Sequence, residues 1–534
     1  MHMIATSLLT LTACASLLSA GNHHTITLRP VGNYRSGVFA DGASEIVAFD
    51  PFTKRLFSVN AHTRSIDVLN LRDPSNPQLL FSIDLSPYGK SANSVAVRSG
   101  LLAAAVENED KQAPGRVVLF RTWGNCRVVN NLEAGALPDM ITFTPNGQCI
   151  LVANEGEPDD EYKNDPEGSV SIVDLRHGPS RATVATAVFG KFNDRKDELL
   201  AAGVRVFGPG ATVAQDFEPE YIAVSHDSRT AWVTLQENNA LARIDIKKAS
   251  VEEILPLGYK DHLDPANKLD VSDKDGQIYL APWPVFGMYC PDAIASFSVR
   301  GKEYLITANE GDSRDYDGYS EESRVKDLKL DPVAFPQAAD LQKNGNLGRL
   351  KVTTSQGDPD GDGDFDKLYC YGGRSFSILG EDGTLIYESG SLFEEITAAY
   401  YPDDFNSNNE ENNSFDGRSD DKGPEPEGVA VGKVFGNTYA FIGLERIGGI
   451  MIFDVSNPAA PEFVDYVNTR DFSGDPDTDG AGDLAPEGLV FVPAILSPTR
   501  RPLVIAGYEV SGSIAIFEVE PQCRREPRQE ARNE

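Results

Sequence analysis

The sequence is poor in basic residues and lacks the motifs that usually mark a catalytic centre. Its 534 residues include 48 lysines and arginines against 81 aspartates and glutamates, so the formal net charge is −33. Such a charge repels polyanions, and we therefore expect no nucleic-acid partner. No G-x-S-x-G, H-E-x-x-H or P-loop motif is present, so serine-hydrolase, zincin and nucleotide-binding chemistry lack support.

Clustered cysteines and long apolar segments are also scarce. The six cysteines show no C-x-x-C spacing, so no zinc site is expected. After the first twenty residues, no stretch approaches the ~20 apolar residues of a membrane helix, which predicts no transmembrane segment. The segment CRREPRQEARNE gives no hydrophobic anchor signal, and we expect residues 521–534 to form a disordered tail.

Residues 1–20, MHMIATSLLTLTACASLLSA, predict a signal peptide that ends at Ala20. The protein is therefore expected to be secreted, and an apolar N-terminal strand is the alternative. Cys14 also fits a bacterial lipoprotein box, which would give a lipid-anchored form. Export would permit disulfides, but removal of these residues leaves five cysteines, an odd number. Asn412 begins a glycosylation sequon, Asn-Asn-Ser, so a glycoprotein is expected if the source is eukaryotic.

One unit of three short apolar runs recurs seven times along the chain. Each unit opens with a polar or acidic residue before an alternating run, as in Asp139 before MITF and Glu427 before GVAV. A turn, a second run such as CILVAN and a third such as GSVSIVDL follow. Alternation of β-branched and aromatic residues between Gly, Pro, Asn and Asp predicts strands. A fourth, outer strand follows most units.

Seven such units predict an all-β fold, a seven-bladed β-propeller with four-stranded antiparallel blades over residues 21–520. Only PQCRREP follows the seventh unit, which leaves its blade without an outer strand. We expect the run HTITL, residues 24–28, to supply that strand and close the ring. Two stacked β-sandwiches are the alternative, and the regular recurrence of one unit disfavours them.

The acidic openers point to a cation site on one face. In a four-stranded blade, the loops between strands two and three and those between blades share a face, and all the long insertions fall in these loops. The openers, with second-strand ends such as Glu155, would ring the channel mouth there. Converging carboxylates repel one another unless cations neutralise them, so we predict calcium or another hard cation bound by Glu155, Glu427 and Glu487. Alternatively, each acid caps its own turn and faces water.

Two aspartate-rich loops form the sharpest local motifs. Alternating aspartates around a glycine let one loop surround a hard ion with oxygen ligands, as calcium prefers. The first loop resembles an EF-hand loop, but Tyr369 stands where the bidentate glutamate belongs. A solvated acidic loop is the alternative. The expected calcium ligands are Asp358, Asp360, Asp362, Asp364 and Asp366 in the first loop, and Asp475, Asp477, Asp479 and Asp483 in the second.

The segment NEGDSRDYDG, which begins at Asn309, suggests a catalytic alternative. Carboxylates beside a guanidinium could hold a metal and a phosphate together, as a metal-dependent phosphoric ester hydrolase requires. The candidate catalytic residues are Glu310, Asp312, Arg314 and Arg374. The same residues could instead form a structural salt-bridge network.

Several long strings carry a family resemblance. They include GALPDMITFTPNGQCILVANEGEPDDEY, ITANEGDSRDY, GDPDGDGDFDKLYCYGGRSFSIL and APEGLVF. They resemble the choice-of-anchor I family, which is similar to mesenchyme-specific cell-surface glycoproteins of biomineralising cells and to atypical alkaline phosphatases. The resemblance runs from about Thr25 to Val519. It implies an exported β-propeller tied to calcium, matrix or mineral, and it supplies no catalytic set.

Three functions remain open from the sequence. The first is a secreted or cell-surface calcium-binding propeller that acts in extracellular matrix or biomineralisation. The second is a calcium-dependent alkaline phosphatase or phosphodiesterase that acts on phosphate esters. The third is a propeller that only binds proteins.

Overall fold

The computed structural model describes residues 25–522 and consists mainly of four-stranded antiparallel sheets. The signal-peptide prediction, Cys14, Cys523 and nearly all of the expected tail lie outside these residues. Seven sheets have four strands each, and we number them in chain order. In sheets 1 to 4, consecutive strands pair in sequence order.

The strands of the first four sheets are as follows: sheet 1, β2 (Val47–Asp50), β3 (Arg55–Asn60), β4 (Ser65–Asn70) and β5 (Gln78–Asp84); sheet 2, β6 (Ala92–Arg98), β7 (Leu101–Val106), β8 (Pro114–Arg121) and β9 (Val128–Ala136); sheet 3, β10 (Pro138–Phe143), β11 (Cys149–Asn154), β12 (Ser169–Asp174) and β13 (Thr183–Val188); sheet 4, β14 (Pro219–Val224), β15 (Thr230–Leu235), β16 (Ala240–Asp245) and β17 (Ser250–Pro256).

The last three sheets follow the same plan: sheet 5, β20 (Ile294–Val299), β21 (Lys302–Asn309), β27 (Ser375–Gly380) and β28 (Leu385–Glu388); sheet 6, β29 (Pro426–Val434), β30 (Asn437–Leu444), β31 (Ile450–Asp454) and β32 (Glu462–Val467); sheet 7, β33 (Pro486–Val492), β34 (Leu503–Tyr508), β35 (Ser513–Gln522) and, from the other end of the chain, β1 (Thr25–Arg35). β1 pairs antiparallel with β35 from Thr25 opposite Gln522 to Arg35 opposite Ser513.

The first strand of each sheet contacts the first strand of the next sheet. These inner strands are β2, β6, β10, β14, β20, β29 and β33, and the last of them contacts the first. Sheets repeated radially in this way have the architecture of a β-propeller.

Elements outside the seven sheets lie in the connections. The insertion between β21 and β27 is the longest. The additional strands are β18 (Tyr259–Asp261), β19 (Phe286–Met288), β22 (Asp315–Tyr316), β23 (Tyr319–Ser320), β24 (Glu322–Arg324), β25 (Lys351–Thr353) and β26 (Tyr369–Tyr371), and the α-helices are α1 (Lys196–Ala202), α2 (Val213–Asp216), α3 (Ala338–Leu341) and α4 (Leu392–Tyr400). Within residues 25–522, no helix has the length and apolar character needed to cross a membrane.

The apolar core lies between neighbouring sheets. One buried cluster occupies each of the seven contacts, including the contact of sheet 7 with sheet 1. In that last contact, Leu56 and Leu69 pack with Ile505 and Ile516. Because middle strands are covered on both faces, β7 is buried at every residue and does not alternate between buried and exposed positions.

The four cysteines of the described region are free thiols: Cys126, Cys149, Cys290 and Cys370. Cys290 and Cys370 are buried, and burial raises the pKa of the Cys370 thiol to about 11. They therefore behave as small apolar core residues.

We expect the buried side chains of β1 to make a large contribution to the free energy of unfolding. Ile26 and Leu28 are buried against residues of sheets 6 and 7, so Ile26→Ala or Leu28→Ala should lower the free energy of unfolding by about 2–5 kcal/mol. Arg29→Ala is the control on the same strand, because its ion-paired side chain is 48% exposed and should contribute at most about 1 kcal/mol. Guanidinium unfolding measures both. Equal midpoints for Ile26→Ala and wild type would contradict the expectation.

Candidate metal centre

Carboxylates from the inner strands converge on one small cavity. It measures about 130 Å³, and its lining includes residues at the start of the inner strand of every sheet. Asp139, Glu220, Asp292, Glu427 and Glu487 line it directly, and Asn93 holds the equivalent position in sheet 2. Glu45 opens sheet 1 next to Ile46, which also lines the cavity. We call the six carboxylates Glu45, Asp139, Glu220, Asp292, Glu427 and Glu487 the axial acids.

A repeated backbone device positions most of these acids. The residue two positions before four of them has a left-handed backbone conformation: Leu137 at φ 44°, Cys290 at 39°, Glu425 at 50° and Ala485 at 60°. Non-glycine residues rarely adopt positive φ, and a following proline disfavours the helical regions further. This conformation, retained in four separate sheets, is local strain of the kind found at functional sites.

A β-bulge at the start of the inner strand accompanies this device. Between Pro138 and Ile141, β10 advances three residues while β11 advances two, and β14, β29 and β33 shift in the same way. A one-residue bulge reverses which face the following side chains point to. It therefore lets an acid face the cavity while the rest of the strand keeps its apolar residues in the core.

Close backbone contact surrounds the acids. A Cβ placed on Gly428, the residue after Glu427, would lie 2.1 Å from the carbonyl oxygen of Glu487. Only glycine fits there, so sheets 6 and 7 approach each other more closely beside the cavity than a side chain would allow.

The axial acids have no basic partner among residues 25–522: none of the six forms an ion pair. Burial first, and then repulsion from other carboxylates, raises the pKa of Glu45 to about 8. Burial and Glu157 raise the pKa of Asp139 to about 7. Burial with like charges also raises the pKa values of the other four: Glu220, Asp292, Glu427 and Glu487. Without a cation, the cavity therefore favours protonated carboxyls.

A second group of acids lies at the ends of the second strands. The backbone N–H of Glu155 donates to the carbonyl of Leu137 at 3.0 Å, which places Glu155 beside Asp139. Carboxylate oxygens of Asp139, Glu155 and Glu220 all lie within 4.8 Å of one another. This spacing and an all-oxygen donor set suit a hard cation such as calcium.

Glu237 is a further buried carboxylate near this trio. It is 7% exposed, and its Oε2 has no hydrogen-bond partner among the described residues. Burial raises its pKa to about 7 although Arg314 opposes the shift. Glu237 also contributes to the raised pKa of Glu220, which places it in the same acidic field. An unpartnered buried carboxyl is costly unless a ligand or a proton satisfies it.

Another acidic trio is already neutralised. Carboxylate oxygens of Glu310, Glu425 and Glu445 also lie within 4.8 Å of one another. However, Lys422 lies 2.7 Å from Glu310 and 3.2 Å from Glu425, and Arg446 lies 3.0 Å from Glu425. Burial opposes ionisation of Glu425, but these cations outweigh it and lower its pKa. This trio is a salt-bridge network that includes the candidate catalytic residue Glu310.

Of the other three candidate catalytic residues, Asp312 lies near Glu310, whereas Arg314 and Arg374 have separate carboxylate partners. Asp312 is 52% exposed and lies 3.7 Å from Lys422. Arg314 is buried and pairs with Asp216 at 3.1 Å and Glu218 at 2.9 Å.

Arg374 is buried elsewhere. It pairs with Glu394 at 2.8 Å and donates to the carbonyls of Asp270, Ser419 and Asp421. Neither Arg314 nor Arg374 is among the described residues that line the axial cavity.

The first aspartate loop is partly assembled. Carboxylate oxygens of Asp358, Asp360 and Asp366 lie within 4.8 Å of one another. The Asp358 carboxylate accepts backbone N–H groups of Gly361 at 2.8 Å and Gly363 at 3.0 Å, which folds the loop around it. Oδ2 of Asp366 is buried and has no partner among the described residues.

The remaining aspartates of that loop have other partners. Asp364 pairs with Lys329 at 2.8 Å, and Asp362 accepts the backbone N–H of Asp364 at 3.0 Å. The structure therefore groups three of the five expected ligands.

The second aspartate loop is not grouped in this way within residues 25–522. Asp483 is buried and accepts hydrogen bonds from Asn33 at 2.7 Å and Ser513 at 2.7 Å. Asp479 lies 3.4 Å from Arg35, whereas Asp475 and Asp477 are exposed. The contacts of Asp479 and Asp483 therefore connect the loop to β1 and the rest of sheet 7.

Sequence reasoning found the axial acids but not the devices and partners around them. The bulges and left-handed residues have no composition signal, although proline before five of the seven openers marks their place. Lys422, Arg418 and Arg446 neutralise Glu425 in the assembled structure. They come from outside the NEGDSRD segment, so local spacing could not reveal them.

Fold and site together define an all-β protein of propeller architecture whose axis carries a carboxylate-lined cavity. Within that class, the chain belongs to the choice-of-anchor I family, because the model of the choice-of-anchor I domain matches residues 45–458. The family resemblance seen in the sequence is thereby confirmed.

Two curated relatives show similarity to parts of the chain. Gigasin-3a of Magallana gigas is 34% identical over 194 residues, which cover 34% of this chain and 66% of that protein. The mesenchyme-specific cell surface glycoprotein of Strongylocentrotus purpuratus is 28% identical over 279 residues, which cover 46% of this chain and 36% of that protein. The matched part is thus less than two thirds of each relative's own length.

Solved structures with a similar fold include hydrazine synthase of Kuenenia stuttgartiensis, with a TM-score of 0.46 and 11% identity, covering 92% of this chain and 98% of that chain. The β-propeller domain of Cps50 (Swd1) of Myceliophteria thermophila has a TM-score of 0.44 and 10% identity, covering 92% of this chain and 100% of that chain.

Because the pKa values of the axial acids are raised, we expect the free energy of unfolding to fall with rising pH when no metal is bound. Their folded pKa values exceed the unfolded values, so the folded state holds more protons, and the free energy of unfolding decreases from pH ~4 up to the folded pKa values. Thermal melts of chelator-treated protein between pH 5 and 8.5 should show this decrease, with a shallower slope for Glu45→Gln. The exposed-acid control Glu381→Gln should keep the wild-type slope. A melting temperature that rises over this range would contradict the assignment.

A second prediction separates structural from catalytic roles for Arg314. Arg314→Met leaves Asp216 and Glu218 buried without their cation and should destabilise the protein by about 3–5 kcal/mol. The matched control Arg176→Met breaks the exposed pair with Asp174 and should cost at most about 1 kcal/mol. Urea unfolding measures both. A fully stable Arg314→Met variant would refute the structural role.

Proposed function

We propose that this chain is a secreted or cell-surface calcium-binding protein built as a closed, seven-bladed β-propeller. The observation that carries the proposal is the axial cavity. It receives carboxylates from several sheets, and none of its acids has a basic partner among the described residues. A divalent cation bound by Asp139, Glu155 and Glu220 would supply the missing positive charge.

Several contacts support the closed ring in this proposal. Sheet 7 packs on sheet 1 through a buried apolar cluster, and β33 contacts β2. Pairing of β1 with β35 brings the two ends of the described chain into one sheet. Addition of the first strand gives the last blade the same four strands as the others, as a closed propeller requires.

The proposed location rests on the relatives. One of them is by name a cell surface glycoprotein, and the chain shares the choice-of-anchor I domain. We propose that the protein holds calcium at a cell surface or in an extracellular matrix. Mineral deposition would be a later step that uses this calcium.

Binding is favoured over phosphate ester hydrolysis. Hydrolysis by the candidate catalytic residues needs Arg314 or Arg374 free to bind an oxyanion beside the metal. Both guanidinium groups already have buried carboxylate and carbonyl partners, and neither lines the cavity in the described region.

Calcium titration tests the proposal. Isothermal titration of metal-free protein should show binding, and calcium should raise the melting temperature because it binds only the folded state. Asp139→Asn combined with Glu220→Gln should remove at least one site, while the exposed-acid variant Glu381→Gln should bind like wild type.

The first aspartate loop, which contains Asp358, Asp360 and Asp366, can be tested independently in the same titration. Asp360→Asn combined with Asp366→Asn should remove a different site and leave the axial one intact. Absence of both heat and a thermal shift in wild type would end the proposal. Unchanged stoichiometry in the axial double variant would show that calcium binds elsewhere.

A further inference from the structure

On the side of the molecule opposite the axial cavity, the turns contain more basic than acidic residues. This side is formed by the turns between strands one and two and between strands three and four of each sheet, and we call it the turn face. The thirteen such turns within sheets 1 to 7 contain eleven lysines and arginines but only four aspartates and glutamates. In a chain of net charge −33, this is a marked local reversal of sign.

Hydrogen bonds connect several neighbouring turns of the turn face. Lys54 Nζ in sheet 1 donates to the carbonyl of Leu496 in sheet 7 at 2.8 Å. Arg55 donates to the carbonyl of Thr122 in sheet 2 at 2.9 Å. The backbone N–H of Asn146 in sheet 3 donates to Ser228 Oγ in sheet 4 at 3.0 Å.

Exposed apolar side chains cluster on one arc of the turn face. Ile495 is 90% exposed, Phe52 77%, Phe435 58% and Trp123 52%, and Leu496 is also exposed. They stand on turns of the consecutive sheets 6, 7, 1 and 2. Exposed apolar groups that adjoin one another on a surface mark an interaction site more strongly than scattered ones.

Basic residues without an ion-pair partner in the described region lie beside the arc. A groove of about 610 Å³ between sheets 6 and 7 is lined by Lys433, Phe435, Arg500 and Arg501, among others. Lys54, Lys433 and Arg500 form no ion pair with any residue in the described range, whereas Arg501 pairs with Glu518 and Glu520. The positive charges of these three groups are therefore not neutralised by a described carboxylate beside the apolar tips.

We propose that this arc docks on an anionic lipid surface. Its apolar tips would enter the headgroup region while Lys54, Lys433 and Arg500 contact lipid phosphates. Peripheral membrane binding needs this combination of buried apolar area and basic charge. The charge of the turn face complements anionic headgroups.

Two features favour lipid over an acidic glycan or protein. Ile495 is an aliphatic side chain at the tip of a ten-residue connection, and such a side chain gains free energy when it leaves water for the apolar part of a lipid surface. The apolar residues lie on four separate turns, and of the five only Phe435 lines the groove between sheets 6 and 7. They therefore suit a broad fluid surface better than a shaped partner.

Vesicle cosedimentation tests the proposal. The full chain is mixed, in the presence of chelator, with phosphatidylcholine vesicles that contain or lack phosphatidylglycerol. Chelation removes calcium bridging, so the result is independent of the proposed calcium function. We expect binding only to anionic vesicles, with affinity that falls as salt increases.

Variants separate the contributions. Ile495→Ser combined with Phe435→Ser should weaken binding at least about tenfold through lost apolar burial. Lys433→Gln and Arg500→Gln should each weaken it about fivefold. The matched controls lie in the sheet 5 insertion: Val333→Ser, where the side chain is 87% exposed, and Lys326→Gln, which is exposed. Both controls should bind like wild type.

Several results would overturn the proposal. These are absence of binding, equal binding to neutral vesicles, full binding by the Ile495→Ser and Phe435→Ser double variant, or equal loss in the Val333→Ser control. A change in oligomeric state of the double variant, measured by light scattering without vesicles, would instead assign the arc to a second copy of this chain.

Discussion

Mutual repulsion among carboxylates at the axis is the constraint that the rest of the structure must accommodate. Inner strands from neighbouring sheets bring Asp139, Glu220 and Glu487 together, where burial makes each charge costly. The fold does not relieve this cost by adding basic residues at the cavity. It fixes the acids by left-handed residues and bulges, and it supports that backbone with apolar packing between every pair of sheets. Electrostatic strain at the centre is thus balanced by packing farther out.

The two clusters of acids in this molecule differ in how their charge is compensated. Around Glu425, three cationic side chains neutralise the charge and produce a rigid network. At the axial cavity, no side chain of the described region does so. Because the two groups share the same acid-rich repeat, the difference arises from the loops: Lys422 and Arg418 come from the long connection before sheet 6. The loops decide whether an acidic position becomes structural or remains available to a ligand.

Much of this architecture could be predicted from the sequence. The recurring three-run unit predicted the four-stranded antiparallel sheets, and the openers identified the residues that share the cavity. Side-chain partners could not be predicted, because they depend on contacts distant in sequence. Arg314 is the clearest case: its neighbour in sequence is Asp315, but its carboxylate partners are Asp216 and Glu218, about a hundred residues earlier. Likewise, the sequence motif predicts Asp364 as a calcium ligand, whereas in the structure its carboxylate pairs with Lys329.

The pairing of β1 with β35 also determines where a tether at either end of the described chain would join the domain. Thr25 lies opposite Gln522, so both ends of the described chain leave the sheet side by side. Pro521 lines the groove between sheets 6 and 7, which places these ends at the basic side of the disc. A tether fused to either end would therefore be attached at the same place on the domain. Attachment through either end would consequently join the folded domain on the side opposite its acidic cavity.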